Sequence, residues 1–139
     1  MLQTGIKGSI ELTVTKEKCD GALGSGELDV FATPAMIALM EETAWKSVAP
    51  YLEPGEGTVG TALDVRHLAA TPVGLRVRCD TELTLVDRRR LVFQVRVYDP
   101  FGLVGEGTHE RFVIRHEKFL GKVDEKRSAV GETPAVAQA

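Results

Sequence analysis

The stretch Thr33–Tyr51, TPAMIALMEETAWKSVAPY, reads as one long helix. Thr33 suits the N-cap and Pro34 the first helical position, and no glycine follows until the LEPGEG turn at 52–57. Stepping by three and four residues from Ile37 gives Met40, Glu41, Ala44 and Val48, so a carboxylate stands in an otherwise apolar stripe. Burying it alone costs several kcal/mol, which demands either a partner or a raised pKa, and both conditions are common at active sites. Glu42 points away from this stripe and reads as a solvated neighbour.

Around this helix the chain alternates with a period of two. Ile10, Leu12 and Val14 oppose Ser9, Glu11 and Thr13 in a strand at Gly8–Thr15. Lys16–Gly26 is a glycine-rich loop. After the helix come strands at Thr58–Ala69, Leu75–Val86, Leu91–Tyr98 and Leu103 to about Arg115, separated by turns at 71–74, 87–90 and Asp99-Pro100-Phe101-Gly102. In the first of these, Thr61, Leu63, Val65, His67 and Ala69 share one face, which puts His67 on the more apolar side. Short turns make the sheet antiparallel, and a five-stranded sheet with one mostly apolar helix resolves itself by curling around that helix. The expected fold is α+β: one domain over residues 1–119, then a polar extension over 120–139 with little intrinsic stability. Trp45 and Tyr51 read as packing residues.

Composition narrows the function. At 139 residues, 43% hydrophobic and 27% charged with a formal net charge of −3, the chain fits neither nucleic acid nor an anionic membrane as main partner. Arg88–Arg90 is a local exception whose ordinary reading is a solvated turn. Cys19 and Cys79 are too far apart in sequence for a metal-ligand pair and read as reduced thiols. His109 and His116 lack the carboxylate companions of a metal site, so no metal is expected. No charged N-terminal segment precedes an apolar core and no window approaches a membrane span, which points to a cytoplasmic protein.

Several stretches carry a resemblance: Val30-Phe31-Ala32-Thr33, Leu39-Met40-Glu41, the nine residues Ala49–Gly57 (APYLEPGEG), Gly60-Thr61-Ala62, His67 with Ala69-Ala70-Thr71-Pro72, and Gly107-Thr108-His109-Glu110-Arg111. From Val30 to Phe119 the sequence resembles the fluoroacetyl-CoA thioesterase family of the hot-dog fold, in which an antiparallel sheet wraps one long central helix. The resemblance implies a homodimer that hydrolyses an acyl-CoA thioester, with CoA as part of the substrate and no separate cofactor. By position it assigns Thr33, Glu41 and His67 to catalysis and Gly60 and Arg111 to substrate contact. The loop Cys19–Glu27 (CDGALGSGE) lacks the aromatic residues that cover the acyl pocket in the fluoroacetyl-selective enzyme, which points to another short acyl group.

Thioester hydrolysis needs a carboxylate nucleophile or an activated water, a proton carrier and a donor for the oxyanion. Glu41 suits the first role, His67 the second, and a backbone N–H at Gly57, Gly60 or the helix N-terminus the third. Against these stand blander readings: Glu41 paired with an arginine, His67 as a core histidine, Thr33 as a simple N-cap. Thr33 and Glu41 are separated by roughly 12 Å along a straight helix, so either the chain bends back before the helix or two chains build the site. A hot-dog acyl-CoA hydratase or dehydratase, or an acyl-CoA binding module without catalysis, are the alternative functions.

Overall fold

A computed structural model describes residues 1–130 and 136–137. Strand β1 (Lys7–Thr13) leads through a loop and a short helix α1 (Asp20–Leu23) into the long helix α2 (Thr33–Val48). Strands β2 (Glu56–His67), β3 (Arg76–Asp87), β4 (Arg90–Asp99) and β5 (Gly102–Arg115) follow, and then helix α3 (His116–Val130). The five strands form one antiparallel sheet in the order β1-β3-β4-β5-β2, curved around α2 as the sequence implies. Both β1 and β2 are therefore edges.

The core is the contact between α2 and the inner face of the sheet. Met36, Leu39, Met40, Ala44 and Val48 meet Val77, Cys79, Leu83, Leu91, Phe93, Val95 and Val97, all fully or almost fully buried. The two free cysteines lie in this core, and burial pushes the Cys79 thiol up to about 11, consistent with inert reduced thiols. Gly105 lets the helix approach, since a Cβ there would sit 2.4 Å from Met36 Sδ. The helix packs mainly on β1, β3 and β4, leaving residues 60–64 of β2 exposed.

Four details differ from the sequence reading. Ala32, not Thr33, is the N-cap of α2, and Thr33 is already helical, so the chain does not bend back before the helix. The buried stripe of α2 centres on Met36, Met40, Thr43 and Ala44, which leaves Glu41 on its flank with 39% of its side chain exposed. A bulge between Gly60 and Ala62 shifts the parity of β2: Gly60 pairs with inward Arg111 and Leu63 with inward His109, so Gly60 replaces Thr61 on the inner face beside Leu63, Val65 and His67. Trp45 and Tyr51 are 42% and 45% exposed, so they pack at the surface rather than in the core.

Helix α3 begins before residue 120 and crosses it, so part of the stretch read as an extension is helical. It is almost wholly exposed, with only Phe119 half-buried. Residues 131–135 and 138–139 of that stretch lie outside the described residues.

Candidate active site

Glu41 and Arg111 are brought together by the pairing of β2 with β5. Opposite Gly60, Arg111 points inward beneath α2 and is 5% exposed. Its guanidinium is tied on three sides: Nε donates to Thr58 Oγ1 at 2.8 Å, Nη2 to the Thr58 carbonyl at 2.9 Å, and Nη1 to His109 Nε2 at 3.1 Å. Nη1 also lies 3.4 Å from Glu41 Oε2, completing an ion pair at the flank of the helix. Burial lowers the Arg111 pKa and the Glu41 carboxylate opposes that shift, so the guanidinium remains charged.

His109 is buried and its role follows from its partners. Nδ1 sits 2.9 Å from the Ala62 carbonyl, which only accepts, so Nδ1 carries the proton. Nε2 is then the lone pair that accepts from Arg111. Burial first, and the Arg111 charge after it, depress the His109 pKa and favour this neutral form, although the Ala62 hydrogen bond and Glu41 pull the other way. Glu41 Oε2 and His109 Nε2, 3.9 Å apart, are two acceptors bridged by one Arg111 N–H group. Gly60 completes the cluster because any side chain there collides with it: a Cβ would lie 2.6 Å from Glu41 Oε2.

Thr33 and His67 form a second group. Thr33 Oγ1 lies 2.8 Å from His67 Nδ1, so the hydroxyl expected to cap the helix instead holds an imidazole at the end of β2. The Phe31 ring meets His67 edge-on at 6.4 Å between centroids. His67 Nε2 is buried with no hydrogen-bond partner among the described residues. The pair lines a cavity of about 290 Å³ together with Asp20, Val30, Phe31, Leu68, Ala69 and Ala70.

Within one chain these groups stay apart. Gly60 and His67 are seven residues apart on β2, a span of roughly 20 Å. Glu41 makes no hydrogen bond or ion pair with Thr33 or His67 among the described residues; its imidazole neighbour is His109.

The family model described as fluoroacetyl-CoA-specific thioesterase matches residues 14–117. The chain belongs to this family. A fluoroacetyl-CoA thioesterase of Streptantibioticus cattleyicolor is 52% identical over 101 residues, covering 73% of each chain. Among solved structures, a point mutant of the family's fluoroacetyl-CoA-specific thioesterase superposes with a TM-score of 0.85 at 42% identity, covering 91% of this chain and 98% of that one. A second point mutant, in complex with acetyl-CoA, gives 0.85 at 41% identity over 90% and 98% of the two chains. A thioesterase superfamily member from Thermus thermophilus gives 0.83 at 28% identity, covering 93% and 98%.

The family match spans Thr33, Glu41, Gly60, His67 and Arg111 together. Sequence reasoning missed Thr58 and the role of His109. The signal for His109 was present, since Gly105, Gly107, His109, Arg111 and Val113 share one face of β5, and two polar residues among inward positions call for partners.

Proposed function

We infer that this protein is an acyl-CoA thioesterase that splits a short-chain acyl-CoA into CoA and a carboxylic acid, acting as a cytoplasmic homodimer. The family match across residues 14–117 carries this reading. The acetyl-CoA complex of one relative, and a complex of another with fluoroacetate and CoA, support the substrate class.

The dimer answers the separation of the two groups. Strand β2 is an edge whose outward N–H and C=O groups need a partner, and its exposed middle includes Leu63. Antiparallel pairing of two β2 strands through this exposed middle runs the Gly60 end of one strand alongside the His67 end of the other. Glu41 of one chain then faces the Thr33–His67 pair of the other. The acyl group occupies the cavity lined by Phe31 and the alanines at 69 and 70. Its carbonyl lies near the first turn of α2, where unpaired N–H groups and the helix dipole favour an oxyanion.

Two routes use this geometry. Glu41 attacks the carbonyl, forming an anhydride and expelling the CoA thiolate, and water then cleaves the anhydride; or Glu41 takes a proton from water that attacks directly. In both, His67, oriented by Thr33, delivers the proton to the departing sulfur, and Arg111 holds the Glu41 carboxylate in place. The short Cys19–Glu27 loop leaves the cavity without an aromatic cover, which suits short acyl groups other than fluoroacetyl.

Complementation tests the shared site. Glu41→Gln and His67→Ala proteins are each expected to release no thiol from acetyl-CoA. Refolded together in equal amounts, they should recover about a quarter of wild-type activity, because half the dimers are mixed and each mixed dimer has one intact site. No recovery, with mixed dimers verified, rejects the shared site; no thiol release by the wild type from any short acyl-CoA rejects the thioesterase.

A further inference from the structure

We propose that the groove between the β3–β4 turn and α3 binds the phosphate-bearing end of CoA, a deepening that rests on the thioesterase reading. Four cations from three elements converge there: Arg89 in the turn, Arg115 at the end of β5, and Lys118 and Lys122 one helical turn apart on α3. They surround a cavity of about 220 Å³ whose apolar wall is Ile114 and Phe119. The hydrogen bond from Val113 N to the Arg89 carbonyl, 2.8 Å, pins the turn against β5 and fixes one side of the groove.

The convergence of four cations on one cavity, unpaired among the described residues, separates this groove from the outer face of β3 and β4. On β3 and β4 each arginine has a carboxylate: Arg76 with Glu11 at 3.2 Å, Arg78 with Asp80 at 3.1 Å, Arg96 with Glu106 at 3.6 Å, and Arg90 with Glu110; Arg66 on β2 stands alone among the described residues rather than in a cluster. The four groove cations form no ion pair among the described residues. In a chain of net charge −3, four uncompensated positive groups around one cavity repel each other, and a multiply charged anion relieves that repulsion. The Phe119 ring and Ile114 supply a surface on which a purine packs.

Reach selects the ligand. Arg111, beside Glu41, and Arg115 are four residues apart on β5, about 13 Å. That is shorter than the extended pantetheine arm between the thioester sulfur and the diphosphate of CoA. One molecule therefore spans both places, its thioester at Glu41 and its diphosphate and ribose phosphate among Arg89, Arg115, Lys118 and Lys122. The cavity is too small for a nucleic-acid duplex.

The test uses the full-length dimer and a Lys118→Glu, Lys122→Glu double variant, whose changes lie on exposed positions of α3. Calorimetric titration with adenosine 3′,5′-bisphosphate should show binding to wild type that weakens at least tenfold in the variant. The KM for acetyl-CoA should rise about tenfold with kcat unchanged, while the KM for acetyl-pantetheine, which carries no phosphate, stays constant. Equal binding of the bisphosphate by both proteins, or equal KM changes for both substrates, overturns the proposal. So does inorganic phosphate binding as tightly as the bisphosphate, which marks a simple anion site. A wild type that binds the bisphosphate through these lysines yet releases no thiol from any acyl-CoA leaves the groove standing and removes the thioesterase reading.

Discussion

Two polar groups share the inner face of β2, and they are built in opposite ways. At Gly60 the Glu41 carboxylate meets an arginine with four contacts and an imidazole whose tautomer is fixed by a carbonyl. At His67 a single hydrogen bond with Thr33 holds the ring, and its other nitrogen is buried without a partner among the described residues. The first group is finished by one chain's own strand pairing, whereas in the second Thr33 and His67 pair only with each other among the described residues. On the proposed function, the two groups are halves of one site that the free edge of β2 lets a second chain complete.

The sharpest break of this comparison is Glu41→Gln. The amide keeps the shape and still accepts from Arg111 but neither attacks nor takes a proton, so thiol release from acetyl-CoA should fall by about 10³-fold with little change in folding. Gly60→Ala comes next. Its Cβ would sit 2.6 Å from Glu41 Oε2 and 3.1 Å from His109 Cε1, forcing the carboxylate aside. A displacement near 1 Å costs about 10²-fold in kcat. Retention of full kcat in this variant would show that the carboxylate's position does not matter.

That glycine also shows where the sequence stopped being informative. Alternating apolar residues located every strand to within two residues, and the long unbroken run at 33–51 located the helix, because both patterns are set by burial on one face. The bulge at Gly60 follows from local backbone geometry and leaves no period to read, so strict alternation put Thr61 on the inner face in its place. Thr33 looked like a cap because its residue type and the proline after it fit one; only the approach of His67 on a strand far along the chain diverts the hydroxyl. Glu41 was legible as an anomaly, and its arginine was one of the readings weighed, but the wiring of Arg111 to Thr58 and His109 depends on register between β2 and β5, which composition does not encode.

The two groups should also differ in what they do for stability. Arg111→Met leaves the Thr58 carbonyl and hydroxyl and the His109 lone pair without a donor, at a cost of about 2 kcal/mol in denaturant unfolding. The half-exposed Glu41, which water can solvate, adds little to that figure. Thr33→Val removes one hydrogen bond at an open site and should cost about 1 kcal/mol or less while lowering kcat about tenfold; Thr33→Ser should restore most of it. Equal destabilisation by both substitutions would erase the distinction between a finished group and an unfinished one.

The smallest effect is a pH dependence that belongs to one side alone. His109 is held neutral in the fold, its pKa below the ordinary 6.5, by burial and by the guanidinium beside it. Between that ordinary value and the depressed one, the unfolded chain binds a proton that the folded chain refuses, so stability falls as pH drops below about 6.5 and levels off once the folded protein also takes up the proton. His109→Gln removes the titrating group, and its amide oxygen accepts from Arg111 in place of the lone pair. Unfolding midpoints measured from pH 7.5 down to pH 5 should therefore decline less in this variant than in the wild type. A parallel decline in the two would mean that another group governs the acid side and that His109 carries its proton in the fold, contrary to the direction of its hydrogen bonds.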